Sequence, residues 1–145
     1  MLLYVVPPGY QMVEKDAPPP WMIIREETVL SEERFDGYLF ASDCLILHKF
    51  QSLYLEVVSS TAFQAFGAGC PIFVPNGSDY FTPLRNDLLH YNDVSELNDM
   101  LKELCENEAM RERVLDAADG FVQMNSPEII AKLFIDFFIE LGWPA

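Results

Sequence analysis

The chain is short of positive charge. Among its 145 residues, nine are Lys or Arg against 23 Asp or Glu, for a net charge of −14 with histidine neutral. A surface that acidic repels nucleic-acid phosphates and anionic lipid headgroups, which argues against both as partners. Any phosphate-bearing ligand must then be held by local donors against an unfavourable overall field. Histidine is nearly missing: only His48 and His90 occur, neither with a second His or a carboxylate at metal-ligand spacing, so no metal site is expected. The three cysteines, Cys44, Cys70 and Cys105, are odd in number and form no CxxC or Cys/His pattern. Cys44 falls in an apolar strand and Cys70 at a helix–strand junction, which favours buried, reduced thiols over disulfides and suits a reducing cytoplasm. Met1 to Val6 is apolar but has no basic flank, and Pro7-Pro8-Gly9 ends it too early for a signal peptide. The longest apolar run near the end, residues 133–141, is interrupted by Asp136 and Glu140, and no segment approaches the ~20 residues that span a bilayer. No internal repeat or low-complexity tract is present. These absences predict a soluble, cytoplasmic protein without a membrane span.

What remains is enough for a core. Half of the residues are apolar and 13% aromatic, sufficient for one domain of this length. Residues 2–6 read as a short buried strand. Residues 7–20 hold five prolines and a glycine and read as a loop. A second strand starts at Trp21, and Ser31 reads as the N-cap of a helix reaching about Ala41. Arg34 stands where a capping box prefers Glu. Residues 43–48 form a third strand with an apolar centre, as expected where both sheet faces are covered. A loop over 49–58 carries Glu56, a helix spans 59–69, and a strand spans 72–74. Asn76-Gly77-Ser78-Asp79 is turn chemistry, and residues 88–91 are a brief last strand. Residues 94–142 are helical: one helix capped by Asp93 or Ser95 to about Cys105, a second over about 108–122, and a third opened by Ser126-Pro127-Glu128 with Gly142 after it. Short apolar strands alternating with helices predict an α/β fold, a parallel sheet flanked by helices with ligands at the strands' C-terminal ends.

The most informative stretch is Ser59-Ser60-Thr61-Ala62-Phe63-Gln64-Ala65-Phe66-Gly67-Ala68-Gly69-Cys70-Pro71, running into Ile72-Phe73-Val74-Pro75. Three hydroxyl residues open a short helix, small residues let it approach a sheet, and Gly-Cys-Pro stops it before a strand. Free N–H groups and the positive end of the dipole make such a helix start a ready anion site, and the hydroxyls add donors.

Over about residues 23–141 the chain resembles the C-terminal, nucleotide-sugar-binding half of GT-B glycosyltransferases, most closely the group that includes sucrose and glycogen synthases and bacterial capsule mannosyl- and glucosyltransferases. Three elements carry the resemblance: Ser42-Asp43-Cys44-Leu45-Ile46-Leu47, then Ala65-Phe66-Gly67-Ala68-Gly69-Cys70-Pro71-Ile72-Phe73-Val74, then Asp87-Leu88-Leu89-His90-Tyr91-Asn92-Asp93-Val94-Ser95-Glu96-Leu97. Their order and spacing match the family. The resemblance implies a single Rossmann-like half-domain over residues 1–145, retaining chemistry, a nucleoside-diphosphate sugar as donor substrate, and no further cofactor. In that family an E-x7-E pair places the first Glu on the donor sugar and the second on the ribose hydroxyls, with the helix start facing the diphosphate. Glu56 occupies the first position and Gln64 the second, giving E-x7-Q. Glutamine bonds hydroxyls without a carboxylate's charge, which weakens nucleotide binding by about 1–2 kcal/mol. The family's Arg/Lys pair for the leaving diphosphate has no counterpart here, and the acceptor half is missing. The resemblance therefore implies a donor-binding domain, incomplete for transfer until an acceptor domain joins it.

Each position also has a plainer reading. Ser59, Ser60 and Thr61 either cap the helix or hold phosphate, and the resemblance favours phosphate. Glu56 is either a solvated loop carboxylate or the sugar ligand. Gln64, expected near the buried flank of its helix, either bonds a neighbouring loop or takes the ribose. Asn76 and Gly77 make a turn or border the base. Lys49 and Arg85, the basic residues nearest in sequence, are surface charges or phosphate partners. The apolar stripe of the last helix either covers this domain's own sheet or meets a partner domain or a second copy. A non-catalytic interaction module on the same fold is the rival function. A phosphoacceptor receiver domain needs an acidic cluster after the first strand, where Pro7-Pro8-Gly9 stands instead.

Overall fold

The computed structural model describes residues 1–6, 8–9, 19–27, 31–49, 59–84 and 86–143. It is a mixed α/β structure whose contacts divide into two compact units, Met1–Tyr38 and Leu39–Ala145.

In the first unit, strands β1 (Leu2–Val6) and β2 (Met22–Glu26) pair in parallel, Leu2 opposite Met22 through Val6 opposite Glu26. Trp21 and Pro19 carbonyls accept the N–H groups of Leu2 and Met22 at 2.8 Å. Helix α1 (Glu32–Phe40) begins where expected, with Ser31 Oγ accepting the Arg34 N–H at 3.4 Å. Arg34 does not complete a capping box. Its guanidinium instead clasps Glu27 through two contacts, at 2.6 and 2.8 Å, and Tyr38 Oη donates to the same carboxylate at 3.3 Å. A two-pronged Arg–carboxylate contact holds geometry better than a single surface ion pair, though an exposed arginine contributes at most about 1 kcal/mol.

The second unit contains every buried residue among those described. Its sheet has the order β3-β4-β5, all parallel, from β3 (Leu45–Ile46), β4 (Ile72–Pro75) and β5 (Leu89–Tyr91). β3 is shorter than the apolar run suggests, although Leu45 and Leu47 still donate to the Pro71 and Phe73 carbonyls at 2.8 and 2.9 Å. β4 is the middle strand and is wholly buried, as its unbroken apolar sequence requires.

Helix α2 (Ser60–Gly67) precedes β4, and a 3-10 helix (Asp79–Leu84) follows it. The sequence had suggested only a turn there; Pro83 sits inside this tighter helix. Helices α3 (Val94–Glu106), α4 (Glu108–Met124) and α5 (Pro127–Glu140) complete the unit. Asp93, Asn107 and Ser126 cap them in turn, each side chain accepting the N–H three residues on, so Asp93 and not Ser95 opens α3.

Both α2 and α3 lie against α4. The Phe66 ring stacks on Phe121 with centroids 4.9 Å apart, and Phe73, Tyr91 and Leu104 centre a cluster closed by Ile46, Leu89 and Leu97. α5 buries none of its residues, so the expectation that its stripe covers the domain's own sheet is not met. No helix among the described residues is long and apolar enough to cross a membrane.

Candidate functional site

The C-terminal ends of β3, β4 and β5 collect the polar chemistry of the second unit. Parallel strands project their loops to one edge, and helices that follow them start there with their donors facing that edge. α3 starts immediately after β5, and the chain leaving β4 reaches the start of α2, where the Tyr80 carbonyl accepts the Ser59 N–H at 3.3 Å. Two helix N-termini therefore share the edge.

At α3 the capping side chain is engaged within the protein. Asp93 accepts the Glu96 N–H at 2.9 Å, and the Glu96 carboxylate reaches back to the backbone N–H and carboxamide of Asn92 at 2.7 and 2.8 Å. This is a reciprocal arrangement of the capping-box kind.

At α2 the chemistry is different. Ser59 has the extended backbone of an N-cap but its side chain makes no cap hydrogen bond. The residue is only 4% exposed, and its Oγ has no partner among the described residues. A buried hydroxyl without a partner costs about 1–3 kcal/mol. Ala62 N–H turns back to the Ser59 carbonyl at 3.1 Å. That leaves Ser60 and Thr61 as the amides that the helix itself does not use. Ser60 is exposed and Thr61 half-buried.

Gln64 is exposed, which corrects the expectation that it lies by the buried flank. Ala62, Ala65 and Phe66 take the buried face of α2, and at 100° per residue Gln64 falls opposite them, one turn above Ser60 on the same side. Glu56, the other half of the E-x7-Q pair, lies outside the described residues, as does Arg85.

The other basic candidate is placed. Lys49 Nζ stands 5.4 Å from the centre of the Tyr80 ring, a cation–π contact with the residue whose carbonyl holds Ser59. A cation is thereby held next to the residue that fixes the start of α2.

Asn76 and Gly77 form the turn after β4. Asn76 donates its N–H to the Tyr91 carbonyl at 2.8 Å and its carboxamide to Asn92 at 3.0 Å, while Gly77 takes φ +77°, which favours glycine. Asn76 thus ties β4 to β5 through two donors. Beyond it, Gly77, Ser78, Asp79, Phe81, Thr82 and His90 line a cavity of about 70 Å³. Ser78 Oγ is a second buried hydroxyl without a partner among the described residues.

A pairing that the sequence does not reveal, between His48 and Tyr91, completes the edge. His48 Nδ1 lies 2.6 Å from Tyr91 Oη, with the rings nearly parallel. Burial pushes the Tyr91 phenol above its ordinary pKa, which keeps its proton on the ring oxygen. Nothing in the sequence marks this pair, because 43 residues separate its members.

The opposite edge holds the thiols. Burial, then the Asp43 carboxylate, then Cys105 push Cys44 up to about 11; burial, then Cys44, then Asp43 push Cys70 to about 12. Such thiols stay protonated and are poor nucleophiles. All three cysteines are free. A cavity of about 230 Å³ opens on this side, lined in part by Asp43, Cys105 and Arg111. The Arg111 guanidinium is committed to the Leu104 and Cys105 carbonyls at 3.1 Å, closing the end of α3. Among the described residues no three His, Cys, Asp or Glu side chains group to hold a metal ion.

Neither cavity is lined by Ser59, Ser60, Thr61 or Gln64. No protein-family model matches the chain, and no solved structure matches it.

Proposed function

We propose that this chain binds a nucleoside-diphosphate sugar at the C-terminal edge of β3-β4-β5, as the cytoplasmic, Rossmann-like donor half of a GT-B glycosyltransferase. The observation that carries the reading is Ser59, a buried N-cap hydroxyl with no cap bond and no partner among the described residues, at the start of a helix that follows a parallel strand. A diphosphate supplies the missing acceptor. The amides of Ser60 and Thr61 and the positive end of α2 meet its charge. Lys49, held beside Tyr80, offsets part of the chain's net −14 at that point. Gln64 takes ribose hydroxyls from its position one turn above Ser60, and Glu56 takes the sugar. Helix dipole and side-chain donors fill the role that a divalent cation has in other transferases. Hexosyl transfer then requires an acceptor-binding domain as partner.

Calorimetric titration with UDP-glucose and GDP-mannose tests the reading. Saturable binding in the micromolar to millimolar range is expected, weakened at least about tenfold by Ser60→Asp, which places a carboxylate against the phosphates. A second reading, a non-catalytic interaction module, is favoured by the glutamine at position 64 and by the exposed apolar surface of α5. Absence of binding with every nucleotide sugar assigns the chain to that reading.

A further inference from the structure

The larger cavity, about 230 Å³, lies at the sheet edge opposite the candidate site, and its lining carries both signs of charge. Asp43, just before β3, and Arg111, near the start of α4, both line it. Opposite charges on one small cavity attract each other. Yet neither residue forms an ion pair among the described residues. The arginine supplies the reason. Its Nη2 donates to the Leu104 and Cys105 carbonyls at 3.1 Å, among the last carbonyls of α3, and these hold the guanidinium in place.

Both groups keep capacity for a ligand. Arginine has five N–H donors, and with Nη2 engaged the hydrogens on Nε and Nη1 meet no acceptor among the described residues. The Asp43 carboxylate accepts no hydrogen bond among them either. Its charge contributes to raising the Cys44 and Cys70 thiols, so its field reaches the strand starts beside the cavity. Pro71, Leu104 and Leu115 give the lining its apolar part.

These features select by charge and by size. A lone anion meets Asp43 and a chain of net charge −14. A lone amine meets the Arg111 cation and leaves its donors unused. A zwitterion matches both groups at once. The volume is smaller than the roughly 300–1,000 Å³ of pockets that take drug-sized ligands, which suits a molecule the size of one amino acid.

We propose that this cavity binds a free apolar α-amino acid. Its α-ammonium pairs with Asp43, its α-carboxylate takes the Nε and Nη1 hydrogens of Arg111, and its side chain lies against Leu104 and Leu115. The proposal is independent of the nucleotide-sugar reading, which concerns the other edge of the sheet.

Calorimetric titration of the full chain with leucine, N-acetyl-leucine and leucine methyl ester tests this. The expected result is saturable millimolar binding of leucine, weakened about tenfold or more by either blocking group, because each removes one charge-assisted contact. Asp43→Asn weakens leucine to a similar degree and leaves the urea midpoint in place, since the exposed Asp43 side chain holds no internal hydrogen bond. Cys105, an exposed free thiol on the same cavity, reports the location: saturating leucine slows its alkylation by iodoacetamide. No saturable heat with leucine at millimolar concentrations overturns the proposal. So does binding that N-acetyl-leucine or the methyl ester matches, that Asp43→Asn leaves unchanged, or that leaves Cys105 alkylation at its original rate.

Discussion

Helices α2 and α3 start at the same edge of the same sheet, yet one closes on itself and the other does not. At α3, Asp93, Glu96 and Asn92 satisfy one another within four residues. At α2, Ser59 is as buried as a core residue and its hydroxyl is left without a cap bond. A helix start that is only structural gains about 1 kcal/mol from a side-chain cap. One that forgoes the cap while burying the capping group gives up stability, and that combination concentrates at functional positions. The difference teaches which of the two termini leaves its capping hydroxyl available to something else.

The largest change removes the floor common to both helices. Phe73 is fully buried in the middle strand, and Phe73→Ala is expected to cost about 3–5 kcal/mol, seen as a lower urea midpoint, with ligand binding lost alongside. Next, Asp93→Ala is expected to cost about 1 kcal/mol of stability while nucleotide-sugar affinity holds. Ser59→Ala should do the reverse. With no internal bond to lose and an unpartnered buried hydroxyl removed, stability stays level or rises by up to about 1–3 kcal/mol while affinity falls, a split readable by pairing denaturation with calorimetry. Loss of stability as large as that of Asp93→Ala would show that Ser59 is an ordinary cap.

The smallest effect on ligand binding belongs to the far edge. Cys44 and Cys70 have folded pKa values near 11 and 12 against an ordinary 9.0, so the folded state holds its thiol protons more tightly. Stability from these groups is fully present below pH 9 and falls as pH rises from 9 towards 12. The urea midpoint should decline over that window, and less steeply in Cys70→Ala. Nucleotide binding below pH 9 should be untouched.

Much of the second unit was legible because its signals are local. Asp93, Ser126-Pro127 and the Gly-Cys-Pro break mark element ends within a few residues, and the run from Ile72 to Val74 announces a buried strand. The first unit was legible in its strands, but Arg34 was understood only when Glu27 came beside it. At the candidate site the three hydroxyls stood out as a helix start, whereas the choice between cap and free donor depends on where Tyr80 holds Ser59, 21 residues away. The His48–Tyr91 pair and the placement of Lys49 depend likewise on contacts between strand ends that no short window contains. Gln64 was misplaced because a helix of eight residues offers too few turns for periodicity to separate flank from surface. The exposure of α5 was open for a different reason: an apolar stripe has the same sequence whether it meets its own sheet or another molecule.

Amide-resolved NMR titration with UDP-glucose compares the two helix starts in one experiment. The account predicts saturable shifts at the Ser60 and Thr61 amides, with the Glu96 amide, already bonded to Asp93, unmoved. Saturating binding that leaves Ser60 and Thr61 unshifted, or no shift anywhere at millimolar ligand, would contradict it.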